Sequence, residues 1–233
     1  MHFGIGLAAR LSRLQKRKSR VVLALAGGSR GDFESGRAAG VLRRAARIAG
    51  YLDESEELQV WIYASGCHRL PTVEAGRVDT WIADWCVLPK AQFFSGDRSR
   101  QNLLEQRAQD YGLFSGESIS GAMKRLVTEY GDSRLPTLIL FHTSIPENEN
   151  RAISRLLEGA SERRVFWQFF DPADVGNYDS ILRRLDDVRR ERPAIRNASL
   201  YSAWISDHTE VATDVFHYRE LLKPFSRWVR EIA

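Results

Sequence analysis

Short apolar segments alternate with amphipathic helical patterns along most of the chain, and this alternation constrains the fold more than any other feature. The run RVVLALA at residues 20–26 is apolar after its first position and β-branched at its start. Such a run is typical of a strand that is covered on both faces of a sheet. Comparable runs predict four more strands, at residues 58–64, 135–143, 163–170 and 197–204.

Helical patterns separate these strands. Residues 36–52 place Ala39, Leu42, Ala46 and Ala49 on one stripe, with arginines on the opposite side. Further helices are predicted from residues 78, 98, 118, 148 and 178, and a closing helix over residues 214–233 contains Pro224. The alternation predicts an α/β fold with a mostly parallel central sheet and helices on both faces.

Length and composition favour one globular domain. A chain of 233 residues is long enough for a single substantial core, and its 43% hydrophobic and 27% charged content is ordinary. No apolar run approaches the roughly 18 residues needed to cross a bilayer. Cys67 and Cys86 form no metal-type cluster, and no signal-peptide core follows the first basic residues. We therefore expect a cytoplasmic protein that does not insert into a membrane.

Positive charge is concentrated at the amino terminus. The net charge is +4, and the first twenty residues interleave leucines at helical spacing (Leu7, Leu11, Leu14) with six cations, namely Arg10, Arg13, Lys16, Arg17, Lys18 and Arg20. One interpretation is a basic arm for an acidic partner or a membrane surface. The other, which we favour, is an amphipathic helix that packs its leucines on the domain. We accordingly assign residues 1–19 to a basic amphipathic segment and residues 20–233 to the domain.

A glycine-rich turn, AGGSRGDFESG at residues 26–36, follows the first strand. In parallel α/β sheets, ligands bind at the carboxyl ends of strands, where such a turn lies. The turn has no Gly-Lys-Ser/Thr for a Walker loop, and Gly27, Gly28 and Gly31 do not match the dinucleotide-binding frame. Two interpretations stay open: an anion held by glycine amides and Arg30, or a turn that only needs a flexible backbone.

The order of several segments carries a family resemblance. These are VFWQFF at residues 165–170, RNASLYSAW at 196–204, YRELLKPFSRWVREIA at 218–233, and the helix, acidic turn and strand of residues 35–64. Together they resemble the von Willebrand factor A (vWA) domain at the carboxyl end of TerF-type proteins of bacterial tellurium-resistance and stress operons. The resemblance covers roughly residues 20–233. It implies the Rossmann-like vWA fold.

The resemblance also implies a metal-binding site, which vWA domains ordinarily form at the carboxyl ends of their strands. The family motif is Asp-x-Ser-x-Ser after the first strand, a Thr in a second loop and an Asp after the fourth strand, because hard cations prefer oxygen ligands. These positions fall here on Ala26, Gly28, Arg30, Ser118 and Ser144. Both carboxylates are missing, so the resemblance implies a degenerate metal-ion-dependent adhesion site (MIDAS), with no metal and no cofactor.

Neighbouring carboxylates are not expected to restore this site. Four lie nearby in sequence: Asp32, Glu34, Glu117 and Glu147. Each would have to turn back past Arg30, whose charge repels a divalent ion. The binding surface that we predict instead comprises residues 27–32, 115–118 and 142–147, and it includes Ser29 and Thr143.

The predicted function is recognition of a protein partner, in a tellurium-resistance, stress-response or defence-type complex. Arg30 would replace the charge of the lost ion and meet an acidic side chain of the partner by bidentate hydrogen bonds. One alternative is a basic protein that binds nucleic acid or another anion. The other is a divalent-metal-dependent adhesion-type vWA domain. The partner is not identified by the sequence.

Catalysis is not expected. His142, Thr143 and Ser144 end one predicted strand, and Cys67 with His68 ends another. Nucleophilic catalysis needs a base within hydrogen-bond reach and a third group that orients it, and no such arrangement or Gly-x-Ser-x-Gly elbow is visible. His208 and His217 have no flanking ligand pattern, which argues against zinc.

Two further patterns have competing interpretations. Trp81 and Trp85, with Phe93 and Phe94, would form either an exposed aromatic surface or part of the core, and the i, i+4 spacing of the tryptophans suits the core at least as well. The arginine-rich residues 183–196 would bind phosphates or form a solvated helix face. Interleaved Asp and Glu favour the solvated face.

Overall fold

One mixed sheet forms the centre of the computed structural model, which describes residues 3–16, 18–88, 102–143, 149–170, 190–201 and 211–232. Its strands are β1 (Arg20–Ala26), β2 (Gln59–Tyr63), β3 (Cys67–Arg69), β4 (Thr137–His142), β5 (Val165–Phe170) and β6 (Ala198–Tyr201). Their order across the sheet is β3-β2-β1-β4-β5-β6. All neighbours are parallel except β2 and β3. The predicted mostly parallel sheet is confirmed.

Helices connect these strands. They are α1 (Phe3–Leu11), α2 (Arg30–Glu34), α3 (Arg37–Leu52), α4 (Val78–Trp85), α5 (Leu103–Arg107), α6 (Ile119–Tyr130), α7 (Asn150–Gly159) and α8 (Val211–Ile232). A single 3₁₀ turn, Ala75–Arg77, precedes α4 among the described residues. The helix predicted from residue 178 lies outside the described residues. Pro224 lies inside α8, as predicted.

Each face of the sheet packs against its own group of helices. Alternate residues of β1 show the division: Val21, Leu23 and Leu25 belong to the cluster that includes α1, α3, α4, α5 and α8. Val22, Ala24 and Ala26 belong to the cluster that includes α6 and α7. Because both faces are covered, β1 can be apolar throughout.

Helix α1 packs against α8, but through a different face from the predicted one. Ile5, Ala8 and Ala9 are buried, whereas Leu7 and Leu11 are 40% and 55% exposed. The expectation that the leucines pack on the domain is therefore wrong for these two residues, although it holds for the buried Leu14. The two alanines let the helix backbones approach closely, which the bulkier leucine face would not allow. The Ser226 hydroxyl of α8 donates to the backbone carbonyl of Ser12.

The tryptophans of α4 lie in the core. Trp81 and Trp85 are both buried against the α3 side of the sheet, and the Trp81 indole N–H donates to the backbone carbonyl of Pro71 at 2.9 Å. Core packing of these residues is thus confirmed. Phe93 and Phe94 lie outside the described residues.

The arginine-rich segment is described only from residue 190. There, Arg192 forms an exposed ion pair with Glu158, with 3.1 Å between Nη1 and Oε2. Residues 183–189, the rest of that segment, are outside the described ranges. The interpretation as a solvated face stays a prediction.

Candidate functional site

The reversal of strand order places the candidate site beside the end of β1. This strand pairs with β2 on one side and with β4 on the other. The strand that follows β1 in the chain lies on one side of the β1–β4 pair, and the strand that follows β4 lies on the other side. Such a switch point opens a crevice outside the carboxyl ends of the strands. The residues that follow β1 and β2 meet the segment between α5 and α6 there, since the Phe114 N–H donates to the Gly27 carbonyl and the Ser118 N–H to the Ala64 carbonyl.

Gly27 anchors the first loop against its neighbours. Its N–H donates to the Tyr63 carbonyl at the end of β2, at 2.7 Å, and its carbonyl accepts the Phe114 N–H at 2.9 Å. A Cβ at this position would lie 2.9 Å from the Leu113 side chain and 3.1 Å from the Tyr63 carbonyl oxygen. A side chain at position 27 would therefore require Leu113 and the neighbouring backbone to shift.

The side chain of Glu117 occupies the space beside Gly28. Its Oε1 accepts the Gly28 N–H at 3.0 Å, and a Cβ on Gly28 would lie only 2.5 Å from the Glu117 Cγ. Position 28 is the one that the resemblance matches with the first serine of the family motif. Here a carboxylate from the segment between α5 and α6 fills that space and accepts a hydrogen bond from the backbone of the loop after β1.

His142 links the ends of β1 and β4. Its Nδ1 accepts the Ala26 N–H at 3.3 Å, and its ring stacks on Phe170, with 5.5 Å between centroids. Complete burial, aided by the charge of Arg37, lowers the pKa of His142 to about 3. The imidazole is therefore neutral at physiological pH. It holds the backbone at position 26, where the family motif has its aspartate.

Tyr63 and Thr143 complete the floor of the site. The Tyr63 hydroxyl donates to the His142 carbonyl at 2.6 Å, and the Thr143 N–H donates to the Phe170 carbonyl at 3.1 Å. Burial, together with the negative charge of Glu117, raises the pKa of Tyr63 well above its usual value, so its hydroxyl remains a donor. Among the described residues, the buried His142 Nε2 and Thr143 Oγ1 have no hydrogen-bond partner.

Ser118 begins α6 as its N-cap. Its hydroxyl oxygen accepts the Gly121 N–H at 3.2 Å, and its own N–H donates to the Ala64 carbonyl at 2.9 Å. Glu149, which the sequence analysis missed, accepts the N–H groups of Ile119 and Ser120 at 3.2 and 2.6 Å. The second loop is thus held by a cap and by a carboxylate at the positive end of the helix.

Arg30 is balanced by two carboxylates. It is the first residue of α2, where its Nε donates to Glu34 Oε1 at 2.7 Å and its Nη2 lies 3.8 Å from Glu105 Oε1. The guanidinium carbon lies 5.7 Å from the centroid of the Phe114 ring. The exposed Ser29 precedes it. Arg30 therefore lies at the rim of the site with its charge already paired.

Asp32 is buried in α2 and forms an ion pair with Arg37. Its Oδ1 lies 3.3 Å from Arg37 Nε. Neither Arg37 nor Glu105 was among the predicted site residues, because both act through contacts that sequence spacing does not reveal. The structure thus groups Ala26, Gly28, Ser118 and Thr143 around the strand ends and places Ser29 and Arg30 at the rim. Ser144 lies outside the described residues.

The described residues of these loops do not fit a divalent ion. Ala26 and Gly28 have no oxygen-bearing side chain, and the carboxylates of Glu117 and Glu149 already accept backbone N–H groups. Within the part of the chain that the structure describes, no group of three or more His, Cys, Asp or Glu side chains could hold a metal. What the arrangement can do is present backbone and polar groups on a rigid sheet end.

Strand order, the antiparallel edge strand and the loops at the β1–β4 switch point together define an α/β domain of the vWA class. The chain belongs to the vWA-TerF-like family, described as the vWA domain found in the TerF carboxyl terminus, and its residues 16–233 match that family. The resemblance found in the sequence is thereby confirmed. Among curated proteins, the chain is 27% identical over 212 residues to the uncharacterized protein YcbR of Bacillus subtilis (strain 168). That alignment covers 91% of this chain and 76% of YcbR.

Solved structures similar to this chain include proximal thread matrix protein 1 (PTMP1) from the mussel byssus. Two PTMP1 structures match with TM-scores of 0.48 and 0.49 and sequence identities of 8% and 7%. They cover 90% and 91% of this chain but 49% and 48% of PTMP1, so the chain spans about half the length of that protein. A third, with TM-score 0.48, 8% identity and the same coverage as the first, is of PTMP1 with a zinc-occupied MIDAS motif.

None of the described helices is both long enough and apolar enough to span a bilayer.

Proposed function

We propose that this chain is a non-catalytic protein-interaction domain whose strand-end loops meet a partner without a divalent ion. The observation that carries the proposal is the hydrogen bond from Gly28 N–H to the Glu117 carboxylate, which fills the space beside a metal-site position. Membership of the TerF-type family suggests that the complex acts in bacterial tellurium resistance, stress response or defence. We further propose a cytoplasmic location.

Loop-to-loop hydrogen bonds support a metal-free site. Glu117 joins the segment between α5 and α6 to the loop after β1, and His142 joins the end of β4 to Ala26. A metal ion in a vWA domain would connect the same loops through its ligands. Because protein groups already make these connections, the loops need no ion to be held in place.

The surface around Glu117 is open to a partner. Ser29 and Arg30 on one loop and Ser115 and Gly116 on the other are exposed. The side chains of the Arg30–Glu34 ion pair are 48% and 34% exposed, and ion pairs at the surface contribute only about 0 to 1 kcal/mol. A carboxylate of the partner can therefore replace Glu34 on the guanidinium at little cost.

The chemistry of the described nucleophiles and bases supports a role without catalysis. Burial raises the pKa of Cys67 to about 12, which leaves the thiol protonated and unreactive. His142 is buried with its Nδ1 bonded to backbone, and His68 stacks on Tyr111 with 4.4 Å between ring centroids. In the described ranges, the His142 ring forms no hydrogen bond with a Ser or Cys side chain.

Thermal unfolding tests independence from metal. We expect millimolar Mg²⁺, Mn²⁺ or Ca²⁺, added to chelator-treated protein, to leave Tm unchanged, because an ion that binds only the folded state raises Tm by mass action. A clear rise with any one of these ions would contradict the proposal and support the metal-dependent adhesion-type alternative.

Affinity capture tests the interaction surface. The tagged chain is expressed in its own host, and capture is compared with that of Ser29→Trp and Ser115→Trp, which add bulk at exposed loop positions. Glu162→Trp is the matched control, since it is exposed and precedes β5 at the opposite end of the sheet. We expect proteins held by the wild type and the control to be lost from both loop variants.

Arg30→Ala tests the role of the guanidinium within that surface. Once a partner is purified, we expect Arg30→Ala to bind it more weakly than the wild type does. We expect the affinity of the wild type for the partner to fall only modestly with added salt. Equal capture by all variants would contradict the proposed surface. A steep loss of binding with salt would instead favour a nucleic acid, which releases counterions on binding.

A further inference from the structure

Helix α1 presents apolar side chains to solvent on the side opposite its packed face. Leu7 and Leu11 are 40% and 55% exposed and lie one turn apart. At 3.6 residues per turn, they point away from the direction of the buried Ile5, Ala8 and Ala9. The helix therefore has one apolar face against the domain and a second, smaller apolar strip exposed to solvent.

Cations surround this exposed strip. Arg10 lies on α1 itself, and Arg13, Lys16 and Lys18 follow it, all four with exposed side chains. No Asp or Glu occurs in the sequence before Asp32. The segment thus contains leucines whose transfer out of water is favourable. It also carries a positive charge that no acidic residue within the segment neutralises.

We propose that α1, residues 12–16 and Lys18 form a docking surface for an anionic lipid bilayer. Exposed leucines suit the boundary between headgroups and acyl chains, and cations next to them suit lipid phosphates. Nucleic acid and acidic polypeptides would also attract the cations. A nucleic-acid duplex, however, offers no apolar layer in which Leu7 and Leu11 could be buried. Charge and exposed apolar area together therefore favour the bilayer.

The packing of α1 determines how the helix meets this surface. Its opposite face is committed to α8, and it spans only nine residues. It can lie in the plane of the interface but cannot cross it. Residues 12–18 lead into the amino end of β1, whereas the candidate interaction site lies at the carboxyl end of the same strand. A domain docked through this segment therefore keeps its strand-end loops available to a protein partner.

Membrane docking through this short segment requires both the exposed leucines and the cations. A single weak anchor gives marginal, reversible binding, and stable association takes two signals. Each cation near an anionic surface contributes enough for about a fivefold change in affinity. Removing three of them is therefore expected to weaken binding on the order of 100-fold, and removing both leucines roughly tenfold or more.

Cosedimentation of the full chain with vesicles tests the proposal. The probes are phosphatidylcholine vesicles with and without about one-third phosphatidylglycerol. Three proteins are compared with the wild type: Leu7→Ser/Leu11→Ser, Arg10→Gln/Lys16→Gln/Lys18→Gln, and a charge-matched control, Lys124→Gln/Arg151→Gln/Arg155→Gln. The control residues are exposed on α6 and α7, at the other face of the sheet. Circular dichroism checks that each variant is folded.

We expect the wild type and the control to bind anionic vesicles and not neutral ones, and both α1 variants to lose that binding. Absence of binding by the wild type, or equal losses from the control and the cation variant, would overturn the proposal. Binding that survives loss of the leucines, with stronger binding to duplex DNA or polyglutamate, would also overturn it, because the cations alone would then be responsible. The strand-end function is tested separately and does not depend on this outcome.

Discussion

At the scale of single residues, His142 shows how a histidine at a strand end can be part of the framework of the fold. The sequence places it at a strand end, where a histidine is commonly a base or a ligand. In the structure its Nδ1 accepts the Ala26 N–H, its ring stacks on Phe170, and it is fully buried. The residue therefore stabilises the junction of β1 and β4 in its neutral form.

This burial predicts a pH dependence of stability. Below pH 6.5 the unfolded chain binds a proton at this imidazole, whereas the folded chain, with a pKa of about 3, does not. The free energy of unfolding should therefore fall as the pH drops through this window, by about 2 kcal/mol between pH 7.5 and 5. His142→Asn, which keeps an acceptor near the position of Nδ1, should lack this part of the dependence in urea unfolding.

His68→Asn is the control for that measurement. Its ring is only partly buried and stacks on Tyr111 at the edge of the sheet. It should leave the steep pH dependence of the wild type in place. If His142→Asn and the wild type lost the same stability between the two pH values, the neutral buried imidazole would not be the cause.

At the scale of elements, the start of α6 depends on groups from two parts of the chain. Ser118 is a local cap, while Glu149 immediately precedes α7 and reaches the N–H groups of Ile119 and Ser120. A carboxylate at this end is favoured by the helix dipole and satisfies donors that have no partner within the helix. The loop that carries Glu117 is held in position by the same arrangement.

Glu149→Ala should therefore lower the free energy of unfolding by about 1 to 2 kcal/mol, because two N–H groups lose a charged acceptor. Glu149→Gln keeps one acceptor oxygen and should cost less. Chemical denaturation with a shared m-value measures both.

Glu158→Ala is the matched control on α7. It removes only an exposed ion pair with Arg192 and should cost about 0.5 kcal/mol or less. Equal effects of Glu149→Ala and Glu158→Ala would mean that Glu149 does not hold the helix start.

At the scale of the whole molecule, the amino-terminal helix shares the main hydrophobic cluster with α3 and α8. We assigned residues 1–19 to a segment distinct from the domain, and that boundary stays a prediction. The buried contacts of Ile5, Ala8 and Ala9 argue that folding of the helix and the domain is coupled.

Ile5→Ala tests this coupling. Truncating a fully buried isoleucine should lower the free energy of unfolding of the whole chain by about 2 to 4 kcal/mol in one cooperative transition. Leu11→Ala, on the exposed side of the same helix, should change it by about 0.5 kcal/mol or less. Similar small effects of both substitutions would show that α1 is an appendage.

The success of sequence reasoning differed between the fold and the site. The strands β1, β2, β4 and β5 were predicted to within one or two residues at each end, because a buried parallel strand is apolar throughout and its signal is local. The short antiparallel β3 was not recognised as a strand. Its residues, Cys67–Arg69, have no such pattern, and they form a strand through pairing with β2.

The orientation of α1 was the main error in packing. Helical spacing identified a leucine stripe, but Ile5, Ala8 and Ala9 form an alternative apolar stripe on the same helix. Which of the two is buried depends on the surface of α8, almost the full length of the chain away. Sequence periodicity cannot choose between two faces of comparable hydrophobicity.

The sequence alone determined that this is an α/β chain of the TerF-type vWA family, because strand signals are local. That Ala26 and Gly28 stand at metal-site positions stays a prediction from the resemblance. Only the tertiary structure decided what holds those loops. Glu117 reaches Gly28 across 89 residues of sequence, and His142 reaches Ala26 across 116. Contacts at such separations arise from strand order in the folded sheet. For that reason the sequence could place residues 27–32 and 115–118 on one surface, whereas the hydrogen bond from the Gly28 N–H to the Glu117 carboxylate became evident only in the folded sheet.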